Sequence, residues 1–69
     1  MPESVYKIIE LVGTSEKSWD DATAKAVAKA GASLRDLRVA EVTKLDVTIE
    51  DGKVKYYRAR LTLSFKYGD

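Results

Sequence analysis

The chain has 69 residues with no Cys and no His, and its 12 Lys and Arg against 11 Asp and Glu leave a formal charge of +1. That composition excludes disulfides, thiolate or imidazole metal sites and a neutral-pH imidazole proton shuttle, and it lacks the basic excess that nucleic acid or an anionic membrane attracts. A chain this short reads as one domain, residues 1–69, that buries only about 60% of its unfolded surface; with the other staples missing, self-assembly is the stabiliser left.

Met1-Pro2-Glu3-Ser4 carries no basic patch and leads into no apolar core of a signal peptide, and no apolar run reaches the roughly 18 residues of a membrane span, so a cytoplasmic protein is expected. Val5 to Val12 is rich in β-branched and aromatic residues with apolar groups at both parities, which predicts a first strand covered on both faces. Gly13-Thr14-Ser15 is expected to break it. As a strand-to-helix connection this segment could hold phosphate on its backbone N–H groups, but it matches neither glycine-rich phosphate motif and reads as a plain link.

Ser18 followed by Asp21 matches a capping box with Asp in place of Glu, and Asp20 and Asp21 put negative charge where the helix dipole favours it. From there Trp19, Ala22, Ala26, Val27, Ala30 and Leu34 recur at helical spacing, predicting one amphipathic helix of about four turns whose small residues let it lie close to a sheet. Trp19, in phase with that stripe, reads as core or interface packing rather than as a stacking platform. Gly31 near the helix end either weakens the last turn or admits a neighbouring backbone.

A second strand is expected from Leu37 to Glu50. Its apolar residues sit at even positions early (Ala40, Val42) and odd positions later (Leu45, Val47, Ile49), so a bulge or kink belongs near Thr43-Lys44. Glu50-Asp51-Gly52-Lys53 then reads as a type I′ hairpin turn. The third strand is the clearest: Tyr57, Ala59, Leu61, Leu63, Phe65 and Tyr67 alternate with Arg58, Arg60, Thr62, Ser64 and Lys66. If the helix returns the chain parallel to the first strand, this third strand lies centrally, giving a three-stranded antiparallel sheet ordered 1-3-2 in an α+β, βαββ unit. One short helix covers only part of such a sheet. Tyr56, Tyr57 and Tyr67 are expected at contacts between subunits.

This element order, with Val12-Gly13-Thr14-Ser15, the run from Leu34-Arg35-Asp36 to Glu41-Val42, and Tyr57-Arg58 to Ser64-Phe65-Lys66, resembles the dodecin family over roughly residues 5–66. The resemblance implies a βαββ subunit whose sheet partly wraps the helix, a hollow homododecamer, and storage of flavin (riboflavin, FMN or FAD) between subunits rather than catalysis. In that family a Trp early in the second strand stacks on the flavin ring and a Gln in the third strand bonds its edge. Aligned through Glu41-Val42 and Tyr57, those positions hold Val39 and Arg58. Val39, Glu41 and Arg58 are thus the candidate site residues. Val39 cannot stack, so flavin should bind weakly, as in the branch called calcium dodecins.

Arg58 is a charged fork suited to phosphate or carboxylate, or to an acid such as Glu41 of its own or a neighbouring subunit. Arg58 and Arg60 could equally serve ion pairs between subunits. The alternative function is a non-flavin assembly holding Ca²⁺, Mg²⁺ or anions, with a structural role. Glu41, Asp46, Glu50 and Asp51 are candidate oxygen ligands, but their spacing is not that of an EF-hand, and a cation site would need several subunits. No pair of groups is spaced for acid–base chemistry, so no enzyme is expected.

Overall fold

The computed structural model describes residues 5–66. Tyr67 of the expected alternation and the Met1-Pro2-Glu3-Ser4 segment lie outside them. Strand β1 spans Tyr6–Ser15, helix α1 Trp19–Gly31, strand β2 Leu37–Glu50 and strand β3 Lys53–Lys66. The sheet order is β1-β3-β2, with both outer strands antiparallel to β3. This is the expected α+β unit with its helix laid across one face.

One boundary differs. Gly13 does not end β1: the strand continues to Ser15, and Gly13, Thr14 and Ser15 pair with Ala59, Arg58 and Tyr57. Gly13 is there because α1 crosses β1 at that point, so close that a side chain would fall on the Ala22 carbonyl and approach the Ala26 methyl to 3.0 Å. At Gly31, by contrast, an added methyl would meet only Leu37 at an ordinary 3.7 Å.

The helix start is half a capping box. Ser18 accepts from the Asp21 N–H at 2.9 Å, as the sequence predicts. The return arm is absent, because the Ser15 hydroxyl accepts from the Ser18 N–H at 3.4 Å and donates to the Asp21 carboxylate at 2.6 Å. Ser15, 3% exposed, therefore welds the end of β1 to the first helical turn. The helix ends at Gly31, so Leu34 packs on the core from the following turn rather than from the helix.

Strand β2 bends where its inward face changes. Val42 pairs with Leu61 and Lys44 with Arg60, leaving Thr43 as the extra residue of a bulge; its Oγ1 donates to the Arg60 carbonyl at 3.2 Å. Two further irregularities, at Leu37/Val39 and Thr48/Ile49, had no mark in the apolar pattern. The β2–β3 turn is as expected, with Asp51 at φ 55° and Gly52 at φ 76°.

The core is thin. Its buried apolar residues are Ala22, Ala26, Ala30, Ala59, Leu61 and Leu63, so among the described residues only two large side chains are fully buried. Each such Leu contributes roughly 1.5–3 kcal/mol, little against roughly 1–2 kcal/mol of backbone entropy per ordered residue. The chain measures 53 × 20 × 14 Å with a radius of gyration of 14.3 Å, against about 11 Å for a compact domain of this length. Its accessible surface of 5217 Å² likewise exceeds the roughly 4,300 Å² of a monomer of this mass. The helix reaches β1 and β3 but barely touches β2, so among the described residues nothing covers one whole sheet face or the β2 side of the other.

Candidate functional site

Four bands of side chains cross the face of the sheet turned away from α1. Reading from one end, Ile8, Ser64 and Val39 form a rung across the three strands; next come Glu10, Thr62 and Glu41, then Val12, Arg60 and Lys44, then Thr14, Arg58 and Asp46. Apolar, acidic, basic and ion-paired bands thus succeed one another at the two-residue rise of about 6.6 Å. The bulge at Thr43 creates the last two bands: it shifts β2 by one residue, turning Lys44 and Asp46 onto the face of Arg60 and Arg58.

Arg58 is closed by Asp46. Its Nε and Nη2 donate to the two carboxylate oxygens at 2.7 and 2.8 Å, a bidentate fork between directly opposed residues. Glu41 is therefore not its partner within the chain, since Glu41 stands opposite Thr62. The sequence held the signal for Asp46: a face change at Thr43-Lys44 puts even-numbered β2 residues on the side of Arg58. Trp19 fastens the same place from the helix, its Nε1 donating to the Asp46 carbonyl at 3.0 Å and its ring meeting Tyr57 edge-on at 5.0 Å. At 37% exposure Trp19 is a brace between α1 and β2, not a core residue.

Val39 stands 62% exposed opposite Ser64 on the open face. Glu41 is its neighbour two residues along, but Ser64 lies six positions from Arg58 on β3, roughly 20 Å away. One protomer thus joins Val39 with Glu41 and keeps both apart from Arg58. Of the acids named as oxygen ligands, Asp46 is held by Arg58 and Glu50 by Lys55 at 2.6 Å. Among the described residues no three acidic groups converge on a point that could hold a metal ion, and no helix is long and apolar enough to cross a membrane.

The fork lowers the Asp46 carboxyl below the usual range, chiefly through the Arg58 hydrogen bonds, and raises Arg58 in return; these are two views of one interaction. Asp21 is lowered too, first by the Ser15 hydroxyl and then by Lys25, 3.0 Å away. Groups depressed in the folded state stabilise it fully above the ordinary carboxylate pKa of about 4 and lose that contribution as pH falls through the folded value. Without His or Cys, the melting temperature should stay nearly flat between about pH 5 and pH 7 and drop below about pH 4. Circular-dichroism melts check this, and Asp46→Asn should flatten the acid limb.

A family model described as Dodecin matches residues 5–68. The calcium dodecin of Mycobacterium tuberculosis is 44% identical over 63 residues, which cover 91% of this chain and 89% of that protein. The solved structure of dodecin from Streptomyces coelicolor superposes with a TM-score of 0.94 at 38% identity, covering 100% of this chain and 99% of that one. That of the Mycobacterium tuberculosis calcium dodecin, a calcium-chelating antigen with a calcium-binding site, gives 0.85 at 43% identity over 94% and 93% of the two chains. With its 1-3-2 sheet, single helix and match over nearly its whole length, this chain belongs to the dodecin family.

Proposed function

We propose that the chain assembles into a cytoplasmic homododecamer that sequesters small cargo between subunits without catalysing a reaction, and that the cargo is a divalent cation, Ca²⁺, rather than flavin. The observation that carries this reading is the Arg58–Asp46 fork together with the bare Val39: the two positions that would contact a flavin offer no ring to stack on and a guanidinium already committed to an acid through two of its N–H groups. Likeness to a calcium dodecin supports it. The large open face, with Ile8 65% and Val39 62% exposed, supports assembly, since exposed apolar surface is stabilised by docking.

Ca²⁺ takes six to eight oxygens, more than one protomer presents, so in this reading each site draws on several subunits. Glu41 is the acid to examine, because it and Glu10 flank Thr62 from its two sides. Light scattering should give about 92 kDa, twelve copies of a 7.7 kDa chain. After dialysis against Ca²⁺-free buffer, elemental analysis should find retained calcium in the parent and less in Glu41→Gln. A yellow preparation with stoichiometric flavin would count against the cargo assignment, and a 7.7 kDa species at micromolar concentration against the assembly.

A further inference from the structure

Arg60 and Lys44 stand directly opposite each other on β3 and β2, on one face, with side chains exposed. Like charges so placed repel and destabilise a strand pair. Neither side chain has a hydrogen bond or ion pair among the described residues. Asp46, the acid next in line, has both oxygens occupied by Arg58.

The backbone goes out of its way to build this pair. Without the extra residue at Thr43, Lys44 would face the helix side with Val42; the bulge turns it outward, and the Thr43 hydroxyl pins the bulge to the carbonyl of Arg60 itself. Bulges are over-represented at sheet edges and next to functional sites, where they re-aim a side chain. On the far side of Arg60 stands Val12, 49% exposed, an apolar wall beside the charges.

We propose that Arg60 and Lys44 form an anion site for a phosphate-type oxyanion, free or as the head of a phosphomonoester, distinct from the closed Arg58 fork and independent of what cargo the assembly carries. The guanidinium supplies two parallel N–H donors and the ammonium a third from the facing strand, an arrangement that suits a tetrahedral oxyanion.

Inorganic phosphate titrated calorimetrically into the assembled protein, in a phosphate-free buffer of low ionic strength, tests it. Saturable binding is expected, weakened at least tenfold by Arg60→Gln and by Lys44→Gln and unchanged by Lys53→Gln at the exposed hairpin. Absence of saturable binding, equal affinity in Arg60→Gln, or an equal loss in Lys53→Gln would overturn the site. So would a fall in assembly mass in Arg60→Gln or Lys44→Gln, because the cations would then serve acids of a neighbouring subunit. On the parent protein alone, sulfate should displace phosphate while chloride at matched ionic strength should not; displacement by chloride reduces the effect to screening and ends the proposal. Phenyl phosphate separates the two sources: tighter binding assigns a monoester whose body lies on Val12, weaker binding the free ion.

Discussion

Gly13→Ala should lower the melting temperature by on the order of 15 °C, the effect of about 3 kcal/mol in a chain of this size. The added methyl would fall on the Ala22 carbonyl, with the carbonyl carbon 3.1 Å away. These are backbone atoms of a helix and cannot swing aside, so α1 must lift from β1. Ala22 and Ala26, two of the six residues of the buried cluster, would then lose their contact with the sheet. Little else holds the helix down: the Ser15–Asp21 bond at one end, the Trp19 brace on Asp46, and Ala30 and Val27 against the core. Gly31→Ala is the control. Its methyl meets Leu37 at an ordinary distance, and Ala favours helix over Gly by up to about 1 kcal/mol, so that variant should melt at or slightly above the parent. Thermal melts at one fixed protein concentration decide it, because assembly makes the midpoint concentration-dependent. A Gly13→Ala protein that melts with the parent would mean the helix does not sit where it is described.

Gly13 also marks the limit of what the residues disclosed. A glycine beside Thr and Ser is the ordinary signature of a strand end, and sequence shows that a side chain is missing without showing which element fills the space. Where the information was local, it was legible. The alternation from Tyr57 marked β3, Asp51-Gly52 supplied the hairpin, the parallel return of the helix put β3 in the centre, and the parity change put a bulge near Thr43-Lys44, where Thr43 is the extra residue. Pairing across strands was harder, since it depends on register. Glu41 shares the open face with Arg58, but the bulge brings Asp46 opposite Arg58 and leaves Glu41 opposite Thr62. The helix cap failed on one arm for the same reason: Ser15 took the role of Asp21 because β1 runs three residues further than its apolar pattern.

Val39→Trp with Arg58→Gln should raise riboflavin affinity by about tenfold relative to the parent. Val39 is 62% exposed and faces Ser64, with Ile8 beyond it, so an indole can lie across the rung without displacing core atoms. Stacking contributes roughly 1 kcal/mol or more per pair beyond burial, and about 1.4 kcal/mol is a factor of ten. Arg58→Gln replaces a charged fork committed to Asp46 by a neutral amide that can both donate and accept, and Asp46, exposed, tolerates losing its partner at little cost. Because the two positions lie roughly 20 Å apart in one protomer, they can meet one flavin only when copies dock. The gain should therefore appear as quenched riboflavin fluorescence in the assembled fraction and vanish in any dissociated fraction. Val39→Trp alone should supply most of it, since the ring gives the stacking and the Gln only orients the edge. If the double variant remains a dodecamer by light scattering yet quenches riboflavin no better than the parent, then Val39 does not line a shared pocket and the alignment that placed the site there is wrong.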